Sequence, residues 1–208
     1  LVAFLFVAFC PVLGAQTGVA VCSPCHAAIA ASFARTGMGR SFYEALPARM
    51  TEDFQRNNRF HHALSERHYM MIQRDGRFYQ RRYQLSPGGS ETNFIEKEIH
   101  YVLGSGNHSR AYLHRSPSGQ LVQLPLGWYS ENGGKWAMSP GYDRPDHMDF
   151  RRKIDKECFF CHNAYPAPGS ATPTANRDLL FREAPPLGID CQRCHSSGER
   201  HIAAARAG

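Results

Sequence analysis

Three copies of one short pattern constrain this chain more than any other feature: Cys22-Ser23-Pro24-Cys25-His26, Cys158-Phe159-Phe160-Cys161-His162 and Cys191-Gln192-Arg193-Cys194-His195. Each reads C-x-x-C-H, the spacing of c-type haem attachment. Two thiols three positions apart lie on one side of a helical turn, so both can add to the two vinyl groups on one edge of a haem. The next residue can then bring its imidazole under the iron as proximal ligand. Six cysteines, Cys22, Cys25, Cys158, Cys161, Cys191 and Cys194, are thereby expected to bind haem covalently, and His26, His162 and His195 to hold the iron. The expected cofactor is three haem c groups. A zinc site made of paired knuckles would need two pairs to converge, would leave the third idle, and does not account for three adjacent histidines. Ordinary disulfides or thioredoxin-like pairs leave the same histidines unexplained.

The seventh cysteine, Cys10, lies in a different context. Residues Leu1 to Ala15 are almost wholly apolar, no charged side chain precedes Arg35, and Leu13-Gly14-Ala15 offers small residues for cleavage. This reads as the apolar and cleavage regions of a secretory signal peptide, with a mature chain beginning near Gln16. An exported, periplasmic or extracellular protein is therefore expected, with membrane attachment as the alternative if the leader is retained. Pro11 and Gly14 interrupt the run, and no stop-transfer charges follow it directly. A lipoprotein reading through Cys10 is disfavoured by bulky Phe9 at a position that lipid attachment keeps small.

Charge excludes one class of partner. The formal net charge is +6, and six propionates on three haems would bring the loaded protein near neutrality. The densest basic runs, Arg74 to Arg82 and Arg144 to Lys156, are mixed with aromatic or acidic residues. They read as solvated faces and propionate partners rather than as a clustered nucleic-acid surface.

Along residues 16–208, taken as one multihaem cytochrome domain that could be cut short at its C-terminus, three zones follow. In the first, the Cys22 motif opens an alanine-rich helix over Ala27 to Arg35 that Gly37 ends. The second, Thr51 to Asp149, has no cysteine. Its Tyr69 to Arg74 and Arg77 to Tyr83 flank Asp75-Gly76, a two-residue hairpin signal. Further strands are expected at Ile99 to Leu103, Arg110 to His114, Gln120 to Leu124 and Lys135 to Met138, with Phe78, Tyr83, Trp128 and Trp136 in the core. The third zone holds the other two motifs, 33 positions apart and joined by loop-forming Asn163 to Pro173, which predicts neighbouring haems. The fold expected from this pattern is α+β: haem-packed, mostly short helices and loops around the motifs, with a small antiparallel β insertion over about 51–149.

The runs Cys158 to Pro166 and Gly188 to His195, together with Gly104-Ser105-Gly106-Asn107-His108-Ser109-Arg110-Ala111-Tyr112-Leu113, resemble the cytochrome region of bacterial multihaem proteins that often continue into tetratricopeptide repeats. The resemblance covers most of the chain after Gln16. In that family, and in the wider group of tetrahaem carriers and hydroxylamine oxidoreductases, the third motif runs on as C-H-G-P-G-x-x-H. Here Ser196-Ser197 replaces Gly-Pro while the spacing to His201 is kept. The resemblance also implies at least one more haem motif and a helical repeat region in a longer chain.

The sixth ligand on each iron separates a relay from an enzyme, because two axial histidines close the iron and a vacant position admits substrate. Candidate distal ligands are His201, at the multihaem spacing, His108 in the Gly-Ser-Gly-Asn loop, His62 with His61 beside it, and Met38 between Gly37 and Gly39. His68, His100, His114 and His147 read as structural or exposed. Two function classes follow. The first is an electron-transfer cytochrome working with donor and acceptor proteins. The second is a haem redox enzyme acting on a small nitrogen or sulfur oxyanion or on peroxide. The absence of a C-x-x-C-K motif, which would supply a lysine-ligated iron, favours the first.

Overall fold

The computed structural model describes residues 18–166, 169–173 and 179–207. The leader with Cys10, and the expected start at Gln16, lie outside the described residues. Among the described residues no helix is long and apolar enough to cross a membrane.

Twelve strands run through the described residues, all paired antiparallel. After the short helices α1 (Val19–Cys22) and α2 (Ala27–Phe33) come β1 (Phe42–Glu44), β2 (Arg59–His62), β3 (Arg67–Arg74), β4 (Arg77–Leu85), β5 (Glu91–Ile99), β6 (Tyr101–Leu103), β7 (Ser109–Arg115), β8 (Leu121–Tyr129), β9 (Lys135–Met138) and β10 (Arg152–Lys153). Helix α3 (Lys156–His162), strands β11 (Ala171–Pro173) and β12 (Leu179–Phe181), and helices α4 (Gln192–His195) and α5 (Glu199–Ala207) complete the chain. Strands β2-β3-β4-β5 form a meander. Strands β1-β6-β7-β8-β10 form a second sheet in which β9 also pairs with β8, and β11 pairs with β12.

This architecture overturns the expectation of a haem-packed fold of short helices and loops with a small β insertion. Sheet is the body of the molecule. It starts at Phe42, before the expected insertion, and continues through β10 to β12 within the expected haem region. The core is filled by side chains of the chain itself. One cluster, containing Tyr69, Met71, Phe78, Tyr112, Leu124 and Trp136, is drawn from both larger sheets. A second, containing Phe42, Leu113, Leu121, Ile154, Phe159 and Phe181, carries helix α3 with its C-x-x-C-H sequence on Phe159.

The hairpin at Asp75-Gly76 forms as expected. Both residues have positive φ, 52° and 73°, which a two-residue turn matching strand twist requires, and Arg74 pairs with Arg77 across it. The expected strand Ile99 to Leu103 is instead a junction between sheets. Ile99 ends β5 in one, Tyr101 starts β6 in the other, and His100 between them bonds back to Ala45 and Leu113 through its backbone. The stretch Asn163 to Pro173, read as loop, contributes β11 at its end.

Strand β5 escaped the pattern because its sequence, Glu91-Thr-Asn-Phe-Ile-Glu-Lys-Glu-Ile, is polar. Cross-strand ion pairs hold it: Glu96 meets Arg74 at 2.7 Å and Arg81 at 2.9 Å, and Glu98 meets Arg77 at 3.4 Å. Such pairs are the sheet counterpart of helical i,i+4 contacts. The two sheets are also joined by Gln80, whose buried amide donates to Leu126 O at 3.3 Å and accepts from Leu126 N at 3.0 Å. Its side chain thus supplies a ladder-like pair beside Pro125, which has no N–H to give. Arg110 pairs with buried Glu52 at 2.8 Å, and the Tyr112 hydroxyl donates to the same carboxylate at 2.6 Å.

His147 illustrates the cost of burying an imidazole. It is 2% exposed, and its Nδ1 accepts from the Asp149 amide at 3.1 Å. Its Nε2 lies 3.2 Å from the Tyr69 hydroxyl and 3.1 Å from the Arg67 guanidinium, which can only donate, so the imidazole sits among donors that disfavour its charged form. Burial, then the Arg67 charge, pull its pKa from 6.5 down to about 4. In that window the unfolded chain binds a proton that the folded chain does not, so stability is complete above about pH 6.5 and declines as pH falls. The expected loss from His147 alone is about 2 kcal/mol between pH 7 and pH 5. Urea denaturation of the parent and of His147→Gln at both pH values checks it. The variant should lose less on acidification, and equal slopes would contradict the assignment.

Candidate functional site

The second motif sits on α3. Asp155 caps this helix, its carboxylate accepting from the Cys158 amide at 3.2 Å, as a side-chain oxygen before a helix start should. Cys158 and Cys161 are three positions apart on that helix, with His162 its last residue. Between them Phe159 turns inward against Phe181 and Phe42, with ring centres 4.8 and 5.7 Å away. This anchors the helix and leaves Cys161 exposed and Cys158 half-buried. A cavity of about 310 Å³ lies beside it, with Cys158, Cys161 and His162 on one side and Leu103, Ala111 and Leu113 on the other. Burial raises the Cys158 thiol pKa and lowers that of His162, which keeps the imidazole neutral, the form that binds metal.

The first motif does not simply open a helix, as expected. Cys22 ends α1, Cys25 lies in the turn, and His26 is the cap of α2. The His26 amide bonds back to Cys22 O at 2.9 Å, so the one-turn geometry of the pair survives across the break. The third motif begins one residue before α4 and ends with His195 on that helix.

Loop residues gather the three motifs together. Ser41 donates its hydroxyl to His162 O at 2.6 Å and accepts from Ile189 N at 3.2 Å. The backbone of Gly188 passes against Gly39 so closely that a Cβ at Gly188, where φ is +61°, would lie 2.5 Å from Gly39 O. Only glycine fits that position. Arg193, inside the third C-x-x-C, reaches the second motif. Its Nε donates to Asn163 O at 2.7 Å and its Nη2 to Phe159 O at 3.2 Å, satisfying carbonyls at the end of α3. The guanidinium also lies 3.8 Å over the Tyr165 ring. Arg193 thus brings the second and third motifs into contact.

Motifs one and three share a larger cavity of about 500 Å³, lined by Cys22, His26, Cys191, Cys194, His195 and His201, with Ile29 and Phe33 on its apolar side. Burial, then the neighbouring Cys22 thiol, raise the Cys191 pKa. Across the cavity the rings of His26 and His201 lie nearly parallel, 22° apart, with centres 6.1 Å from each other. His26 and His201 are the residues of this cavity that would hold the iron of a haem bound there, which would supply electron transfer. Among the described residues no three His, Cys, Asp or Glu side chains converge as a bare ion would need, whereas a macrocycle supplies the remaining donors itself.

The other candidate distal ligands are placed elsewhere. His62 is buried at the end of β2, its Nε2 donating to Asp143 at 3.1 Å and its Nδ1 accepting from Ser65 at 2.7 Å, so neither nitrogen is offered to a metal. His108 is exposed in the loop before β7. Met38 is exposed, although its carbonyl accepts from Ile189 N at 3.3 Å and so helps to seat the third motif. None of the three lines either motif cavity. Sequence reasoning missed Arg193, Ser41 and Asp155. Only Asp155 left a signal, as a capping residue three positions before Cys158.

No family model, curated protein or solved structure matches this chain.

Proposed function

We propose that this chain is an exported multihaem c-type cytochrome that carries three covalent haems and relays electrons between partner proteins. The observation that carries the reading is the pairing of His26 with His201 across the cavity shared by motifs one and three. If His26 and His201 both held the iron of a bound haem, that site would be closed to substrate and would supply outer-sphere electron transfer.

The chain's own residues do the positioning. Cys22 and Cys25, Cys158 and Cys161, and Cys191 and Cys194 provide the attachment points. His26, His162 and His195 provide the proximal nitrogens, and α5 presents His201. Arg193 and Ser41 hold the motifs in contact, which keeps the distance between carriers fixed and short. Donor and acceptor are expected to be redox proteins of the exported compartment. Expression with export and a c-type maturation system tests the reading, since a covalently haem-loaded, coloured protein is expected and a colourless one would refute it.

A further inference from the structure

We propose that Trp128, Trp136 and Tyr112 form a radical relay, in which a one-electron oxidant at the surface draws an electron from Tyr112 and leaves a neutral tyrosyl radical in the core. None of these residues lines either motif cavity, and the relay does not depend on the cytochrome reading.

Apart from thiols, indoles and phenols are the side chains that give up a single electron most readily, so a row of them in contact can pass one along. Trp128 on β8 stands directly opposite Trp136 on β9, and their ring centres are 5.0 Å apart. Trp136 in turn meets Tyr112 of β7 at 5.5 Å, so both steps are ordinary aromatic contacts. The row also runs from outside to inside. Trp128 is half-buried at the edge of the cluster, Trp136 is buried, and Tyr112 is wholly enclosed.

What distinguishes the inner end is a base. The Tyr112 hydroxyl donates to Glu52 Oε1 at 2.6 Å. That carboxylate is itself held in place by Arg110 Nη1 and by the Thr51 amide, each at 2.8 Å. Burial, then the Glu52 charge, hold the Tyr112 phenol well above its usual pKa of 10, so the proton stays until the electron leaves. An oxidised phenol is a strong acid, and its cation would be poorly solvated in this interior. A carboxylate within hydrogen-bond reach can take the proton. Buried Tyr142 has no such acceptor, because its hydroxyl donates to the carbonyl of Gln123 at 2.8 Å.

The step balances as one electron and one proton. The oxidant takes an electron from Trp128, which is refilled from Trp136, and Trp136 from Tyr112. The Tyr112 O–H bond breaks and an O–H bond forms on Glu52. The oxidant is reduced by one electron, and Tyr112 is left as a neutral radical beside a neutral carboxylic acid.

The test uses the full chain with tris(bipyridine)ruthenium(III), generated in solution by a laser flash and a sacrificial quencher, and follows radicals by electron paramagnetic resonance and transient absorbance. The parent should yield a long-lived tyrosyl radical, whereas radicals on exposed tyrosines such as Tyr165 are quenched quickly from solvent. The long-lived signal should vanish in Tyr112→Phe, which keeps the buried ring. It should be suppressed in Trp128→Phe and in Trp136→Phe, each of which removes one carrier. Glu52→Gln, with its fold checked by circular dichroism, should leave indole radicals but no long-lived tyrosyl. A parent without the long-lived signal, or Tyr112→Phe protein that retains it, would overturn the assignment to Tyr112. Formation at the parental rate in both tryptophan variants would overturn the relay. A tyrosyl radical that persists in folded Glu52→Gln protein would overturn the role of the carboxylate.

Discussion

His201→Ala protein is expected to keep all three haems and to bind one more carbon monoxide per chain than the parent. Thioether formation depends on the C-x-x-C-H residues, and His201 lies outside them on α5, so attachment should be unaffected. The lost imidazole faces His26 at 6.1 Å between ring centres, and no other histidine than His195 lines the same cavity. If the proposed haem is bound there, the variant would leave His26 as its one protein ligand in this pair and the centre should become high-spin and open to ligands. One third of the haem should therefore change spin state in electron paramagnetic resonance. His201 is exposed, so this change should come with little loss of stability. An unchanged spectrum and unchanged carbon monoxide stoichiometry would remove His201 from the ligand set.

The largest stability effect is expected at Arg82 and Asp149, which pair at 2.8 Å with their side chains only 11% and 12% exposed. Arg82 also donates to Asn93 O at 2.6 Å, while its Nε and one Asp149 oxygen have no hydrogen-bond partner. Removing one member of such a pair strands a charge in a poor solvent and costs about 3–5 kcal/mol, whereas replacing both by apolar residues is often close to neutral. Arg82→Met should therefore destabilise strongly, and Arg82→Met/Asp149→Leu should recover much of the loss. Urea denaturation of the two variants beside the parent decides it, and a double variant as unstable as the single one would show that the pair is not the cause.

What was legible in the sequence was local. The Asp75-Gly76 hairpin and the burial of Phe78, Tyr83 and Trp136 follow from turn chemistry and aromatic content. The dominance of sheet did not, for two reasons. Treating haem as the main filler of the interior left no need for a side-chain core, yet Tyr69, Tyr112, Leu124 and their neighbours form one. The strands that extend the sheets are also poor in signal: β5 is held by ion pairs on a polar sequence, and β1, β10 and β12 are only two or three residues long.

The candidate site divides in the same way. The motif residues and His201 stand out in the sequence by their spacing, and the structure places Cys22, His26, Cys191, Cys194, His195 and His201 around one cavity. Which histidine faces which motif depends on long-range packing, through Ser41, Gly188 and Arg193, that no spacing records. His62 shows the converse: as a buried histidine it satisfied the expectation of a ligand, yet Ser65 and Asp143 occupy both its nitrogens.

The central claim is most directly tested by the intact mass of the exported protein after denaturation. The account predicts the mature polypeptide plus three covalently retained haems, falling to two in Cys158→Ala/Cys161→Ala. A polypeptide mass with no haem, or one that retains zinc in its place, would contradict it.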